Sequence, residues 1–314
     1  MRKDVVRFLK SLFITIVLLF FVDFTFGIVG DGLVNKMPNF SGLIAKDNYR
    51  QNRVVSDVVI VGSSRSAHHY VTTVLDDSIR NHTGACYSLY NAGIDGRFIN
   101  SNSCAVESIL ERYSPKLLIF EVSEWELSGG MAQSDMEFAA INYKNNSVVK
   151  RYIDDLGWEE RVKVFSNLYR YNQKLFRILS SFIKEGDETG YEPLYSTMPV
   201  VSTQMELKKQ YIRREFDEYT LNHFKDVLRT AKEKGVCLIV VSSPFYYPTD
   251  SNLQLKELCD KFDTPYIELY DVEYFNHHPE LFKDRDHLND RGAHEYTEIF
   301  FQHLKPYLKD MVII

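Results

Sequence analysis

Three short stretches carry residues that could perform acyl-transfer chemistry. Gly62-Ser63-Ser64 closes an apolar run and Ser66 follows, so three serines fall within four residues. Asn91-Ala92-Gly93-Ile94-Asp95-Gly96 closes a second apolar run, and "DRDHLNDRGAHEY", Asp284 to Tyr296, holds the third set. Asp284 and His287 are spaced i, i+3, so both side chains can lie on one side of a turn. A serine hydroxyl is a weak nucleophile until a base takes its proton, and the base needs a third group to orient it. Ser64, His287 and Asp284 supply those three roles. A serine at a strand-to-helix turn also sets its own N–H at a helix N-terminus, where negative charge is favoured. Gly96 permits a close backbone approach, and its N–H is a second candidate oxyanion donor beside that of Ser64.

Other residues compete for these roles. Ser63 and Ser66 are the rival hydroxyls, and Ser66 has the commoner alternative use of capping the following helix. Asp286 is the alternative orienter, and His294 is an alternative base two turns further on. Arg65 would bind an anionic substrate or form a salt bridge. His68 and His69 suggest a metal, but adjacent helical residues diverge by about 100°, so packing or hydrogen bonding is the expected use. His277 and His278 precede Pro279 in a polar loop and are expected at the surface. The four cysteines, Cys86, Cys104, Cys237 and Cys259, show no C-x-x-C spacing, which argues against a metal knuckle. Cys86 and Cys237 sit in apolar, strand-like runs, and buried free thiols are expected. No metal or cofactor is expected. N-x-S/T sites at Asn39, Asn81 and Asn145 bear on function only in a glycosylating pathway.

These stretches need a scaffold. Near-continuous apolar runs at 57–64, 85–93, 116–123, 236–247 and 265–272 read as strands buried on both faces. Helical patterns at 67–80 and 98–113 alternate with them, which predicts right-handed crossovers and a parallel sheet. In such a sheet ligands bind at the carboxyl ends of the strands, where all three polar stretches fall. A helical insertion occupies about 125–235. Its first part, "WEERVKVFSNLYRYNQKLFRILSSFIK", spaces Phe165, Leu168, Tyr169, Phe176, Leu179 and Ile183 at helical intervals, and this stripe is expected in a core. Its second part carries Leu207, Tyr211, Phe224, Val227 and Leu228 at similar spacing and ends on Gly235, so it reads as the crossover into the fourth strand.

The N-terminus is of another kind. Arg2, Lys3, Arg7 and Lys10 precede Ser11–Gly30, twenty residues with one ionisable side chain, Asp23. That length matches a bilayer's hydrocarbon core, and the basic flank predicts a cytoplasmic N-terminus with the remaining chain extracytoplasmic, at the periplasm or cell surface. No small-x-small pattern follows, so an uncleaved single-pass anchor over 1–30 is expected, with a linker at 31–54 and the main domain at 55–314. Asp23 is costly in a bilayer and predicts a partner. The net charge of −6, without a basic block, argues against nucleic acid.

The ordered set G-x-S, N-A-G-x-x-G and D-x-x-H-L-N resembles the SGNH (GDSL-type) hydrolase superfamily over roughly 55–123 and 236–308. The resemblance implies a three-layer α/β/α fold, flavodoxin-like, with a parallel five-stranded sheet. It implies Ser64 as nucleophile, Gly96 as oxyanion glycine, His287 as base and Asp284 as its orienting acid. It departs at the third block, where an asparagine oxyanion donor is usual: "FEVSEWEL" has none, and an ungapped match puts Glu124 there. Ser123, Arg65 and Trp125 are the candidate substitutes. Arg65, Asn91, Ser123 and Glu124 are the candidate substrate contacts. The implied activity is an esterase or deacetylase acting on O-acyl groups of a carbohydrate or other cell-envelope ester. The alternatives are an O-acyltransferase supplied by a membrane acyltransferase partner, and a non-catalytic glycan-binding accessory protein.

Overall fold

The computed structural model describes residues 2–130, 132–184, 186–199, 213–246 and 251–311. Five parallel strands form one sheet in the order β2-β1-β3-β4-β5: β1 Val58–Val61, β2 Leu89–Asn91, β3 Leu117–Glu121, β4 Cys237–Ser242 and β5 Tyr266–Glu268. Each lies inside a run expected as a strand. β1 and β3 pair over the whole length of β1, Val58 with Leu117 through Val61 with Phe120.

Fourteen α-helices accompany the sheet among the described residues. They are α1 Arg2–Lys36, α2 Leu43–Asn52, α3 Ser64–His69, α4 Thr72–Thr83, α5 Ile99–Arg112, α6 Ala132–Met136 and α7 Ser147–Asp155. Then follow α8 Trp158–Phe165, α9 Asn167–Tyr171, α10 Lys174–Ser181, α11 Glu218–Glu233, α12 Leu253–Lys261, α13 Glu273–Asn276 and α14 Asp290–Leu304.

Alternation along the strands divides the core in two. Val59, Val61, Leu118, Phe120 and Val240 pack with Val106, Ile109, Phe224 and Val227 of α5 and α11. Val58, Ile60, Leu117, Ile119 and Val241 pack with Leu75, Ile79, Tyr296 and Phe300 of α4 and α14. Helices therefore cover both faces, and the central strands are apolar over most of their length for that reason.

Several expectations change. The helix expected over 67–80 is two helices, broken in extended conformation at Tyr70 and Val71. Asn91 Nδ2 donates to the carbonyls of Ser66 (2.7 Å) and Tyr70 (3.3 Å), and Val71 N–H donates to Thr297 Oγ1 (3.0 Å), which holds the break. The 31–54 segment is the end of α1 followed by α2, and α2 is packed into the body. Its buried Arg50 bonds Asp47 (2.9 Å), Asn102 (2.8 Å) and Ser101 (2.7 Å). α11 is the crossover into β4, while Leu207 and Tyr211 lie outside the described residues. The 158–184 pattern is three short helices. Ser166 ends α8 and caps α9 by accepting from Tyr169 N–H, and Gln173, at φ 58°, separates α9 from α10. Phe165, Phe176 and Ile183 of the expected core stripe are exposed, because these helices turn Tyr171, Lys174 and Ile178 to the body instead. All four cysteines are free, and Cys86 is exposed rather than buried.

Candidate active site

The three residues read as nucleophile, base and orienter come together although 223 positions separate the first two. Ser64 Oγ lies 2.7 Å from His287 Nε2, and His287 Nδ1 lies 2.8 Å from Asp284 Oδ1. A carboxylate only accepts, so the Nδ1 proton goes to Asp284 and Nε2 keeps its lone pair toward the serine hydroxyl. Asp284 is itself fixed, since its Oδ1 also accepts the N–H groups of Asp286 (2.9 Å) and His287 (3.0 Å). A bridge between Phe282 and Leu288 closes the loop that carries the pair, and both of those side chains are buried. Asn289 then caps α14 by accepting Gly292 N–H (3.0 Å) and donating to Glu280 O (2.7 Å). The D-x-x-H-L-N run thus carries in succession the residues read as orienter and base, a core anchor and a helix cap.

Ser64 is the first residue of α3 and is half-buried. Its N–H is among those a helix leaves without an internal partner. The turn depends on two close approaches. A Cβ on Gly62 would lie 2.7 Å from Glu121 and Ser66 side-chain atoms, and one on Gly93 would lie 2.4 Å from Ala67 N. Gly96 has φ +66°, the left-handed region, with open space where a side chain would point. Ser66 is buried with its Oγ 3.3 Å from Asn91 Oδ1; the N-cap position belongs to Ser63. Asp286 gives Asp284 only its backbone, and His294 is exposed on α14, hydrogen-bonded to Asp290 O.

The four candidate substrate contacts are all buried and engaged within the protein. Arg65 Nη2 donates to Ser123 Oγ and stands 3.3 Å from Glu121 Oε1. Ser123 also opens a short 3-10 turn, Glu124–Ser128, in a reciprocal capping box with Glu126. Glu124, at the position of the missing asparagine, accepts from Gln254 N–H (2.7 Å) and Leu255 N–H (3.1 Å) and so caps α12. Asn91 clamps the nucleophile turn through the bonds already described. These residues are buried and hold the elements around the site in place. Trp125, the remaining substitute considered for the donor, packs edge-on against Phe98.

Glu126 has a measurable signature. Burial pushes its carboxyl up to about 8, against the opposing pull of Arg65. In the unfolded chain it ionises near the usual glutamate value, so between about pH 4.5 and 8 the folded form holds a proton that the unfolded form has lost. Stability from this group is therefore lost as pH rises through that window, by at most about 1.4 kcal/mol per pH unit. Glu126→Gln is expected to flatten the decline in thermal stability across this window. A slope equal to that of the unmodified protein would remove Glu126 as its source.

His68 and His69 are hydrogen-bonded, as expected, but their place on either side of the Ser64–His287 contact was not anticipated from the sequence. His68 lies one turn beyond Ser64 on α3, and its ring meets His287 edge-on, with centroids 5.7 Å apart. The i, i+4 spacing of Ser64 and His68 was the available signal. His68 Nε2 is 2.9 Å from Asp95 Oδ1, and its Nδ1 is 2.6 Å from Glu192 O. Burial opposes its charge, but Asp95 and Glu192 prevail and raise its pKa. One nitrogen of His68 and carboxylate oxygens of Asp95 and Glu192 fall within 4.8 Å of one another, the spacing of a cation cage. Lys46 Nζ already stands 2.5 Å from Glu192 Oε1 and both imidazole nitrogens face a carboxylate or carbonyl oxygen, while the buried Asp95 Oδ1 makes no hydrogen bond. His69 points the other way. Its Nε2 accepts Leu288 N–H (3.0 Å), so its Nδ1 proton is directed at Ser243 Oγ (2.9 Å). Burial, followed by the nearby His287, Arg65 and His68, holds it well below the usual histidine range and therefore neutral.

Arranged this way, the residues can deprotonate a serine at the rim of a sheet and return the proton to a leaving group. No family model matches the chain, and no curated protein matches it.

Proposed function

We propose that the protein is a membrane-anchored serine hydrolase of SGNH type that acts on O-acyl esters of a carbohydrate or other envelope substrate. The observation that carries this reading is the continuous chain of contacts from Ser64 Oγ through His287 to Asp284. Ser64 Oγ attacks the ester carbonyl carbon while its proton passes to His287 Nε2. The N–H groups of Ser64 and Gly96 receive the developing oxyanion. Collapse breaks the ester C–O bond, and His287 returns the proton to the departing alkoxide. His287 then deprotonates a water that hydrolyses the acyl-serine; a sugar hydroxyl in place of that water would make the reaction a transfer. α1 is long and apolar enough to cross a bilayer, and its basic start orients the α/β body away from the cytoplasm.

Covalent labelling of the full chain by a fluorophosphonate tests the reading. Labelling of the unmodified protein and none of Ser64→Ala is the expected result; a protein that never labels would refute it. The capture of Glu124 as a helix cap favours one other reading, a binding protein that does not turn its ligand over. Loss of one oxyanion donor costs about 10²–10³ in rate, and absent labelling together with retained glycan binding would select that alternative.

A further inference from the structure

Of the stripe expected in a core, Phe165, Leu168, Phe176, Leu179 and Ile183 are exposed, and Trp158 and Val162 add to this apolar surface. Trp158 is 72% exposed, Phe165 82%, Phe176 79% and Ile183 87%, with Val162 and Leu179 between them. This face is continuous with α1. Asp23, inside the apolar run of α1, accepts four hydrogen bonds from the start of α9: Ser166 Oγ (2.6 Å), Asn167 N–H (3.1 Å), Asn167 Nδ2 (2.9 Å) and Leu168 N–H (2.9 Å). Two turns further along, Asp31 receives Arg170 Nη2 (3.1 Å) and the Tyr171 hydroxyl. Contact is close because the anchor is small there: a Cβ on Gly27 would meet Asn167 at 2.6 Å, and one on Gly30 would meet Tyr171 at 2.3 Å.

The length of the anchor sets the depth of this contact. Ser11 to Asp23 covers only about 18 Å of helix, short of a hydrocarbon core of about 30 Å. The span must therefore continue toward Gly30, which places Asp23, and the helices bonded to it, within one leaflet. A carboxylate there requires the donors that α9 provides. Arg161, Lys163, Arg177 and Lys184 are exposed on the same segment, where they can reach phospholipid headgroups. Between Phe21, Val22, Thr25, Phe26 and Val29 of α1 and Leu175 of α10 runs a groove of about 320 Å³ with an almost wholly apolar lining, suited chemically to an acyl chain.

We propose that α8, α9 and α10 form a collar seated in the leaflet on the side of the α/β body, with phospholipid acyl chains as the occupant of its apolar face. This rests on the reading of α1 as a membrane span. The collar fixes the tilt and height of the body, so the triad meets substrate at a set distance from the bilayer.

The test uses the full chain reconstituted in phosphatidylcholine vesicles. The chain has two tryptophans, so Trp125→Phe leaves Trp158 as its sole tryptophan emitter. Trp158 emission is expected to fall in vesicles of acyl-brominated phosphatidylcholine and to resist aqueous iodide. Phe176→Trp in a background of Trp125→Phe and Trp158→Phe repeats the measurement from α10. A chain that floats with vesicles but whose indoles, at Trp158 and in the Phe176→Trp variant, respond to iodide and not to bromine would overturn the collar and leave the anchor standing. A chain that fails to float with vesicles would overturn both.

Discussion

Replacing Ser64 by alanine is expected to lower turnover of an activated acetyl ester by about 10⁴–10⁶-fold without loss of fold. The reason is geometric. The Ser64 hydroxyl bonds His287, and the base is partly solvent-exposed, so truncation strands no buried polar group. His287→Ala should cost a similar factor, and the double variant no more than either single one, because the pair acts as a unit. Asp284 gives a sharper test. The His287 ring and two backbone N–H groups all converge on Oδ1. An asparagine can keep its oxygen at that point, hold the same tautomer and lose only the charge. Asp284→Asn should therefore retain more activity than Asp284→Ala, as single-turnover rates would show. Full turnover by Ser64→Ala would remove the assignment of the nucleophile.

The sheet was legible in the sequence because its central strands, β1, β3 and β4, are buried on both faces and so read as apolar runs. The contact of Ser64 with the Asp284–His287 pair was legible because each sits where a strand or loop meets a helix, positions with local signals. The collar was not. Helical periodicity in Phe165, Phe176 and Ile183 reports a one-sided apolar face and says nothing about whether protein or lipid covers it. Asp23 held the missing information, but its partners lie 143 and more residues away. α2 was obscured for a related reason. Lys46, Asp47, Asn48, Arg50 and Gln51 read as a polar linker, yet all are buried: Arg50 bonds Asp47 and, on α5, Ser101 and Asn102, and Lys46 bonds Glu192, long-range partners that composition does not reveal. Glu124 is similar: an acid where the resemblance would put an asparagine looks out of place until its two helix N–H partners are seen.

Arg65→Met is expected to destabilise the protein by about 3–5 kcal/mol in urea or thermal unfolding, the cost of removing one partner from a buried ion pair. Arg65 and Glu121 are both buried at the carboxyl ends of the central strands. Glu121 accepts Ser243 N–H (3.0 Å), Ser243 Oγ (2.9 Å) and the Tyr70 hydroxyl, and Tyr70 in turn accepts from Tyr296 (3.0 Å). Ser243 accepts from His69, which holds Leu288 beside the base. One network thus joins the nucleophile turn, the ends of β3 and β4, and the base loop. A charge lost at Arg65 leaves Glu121 without its cation and loosens both sides of the Ser64–His287 contact, so turnover should fall along with stability. Pairing Arg65→Met with Glu121→Leu should recover part of the stability, since an apolar pair carries no uncompensated charge. It should not recover the activity, because Ser243 and Tyr70 would still lack the acceptor that aligns them. An Arg65→Met variant within about 1 kcal/mol of the unmodified protein, a small change on the scale of such pairs, would show that the network does not bind these elements together. Recovery of activity in the double variant would show that base alignment does not depend on it.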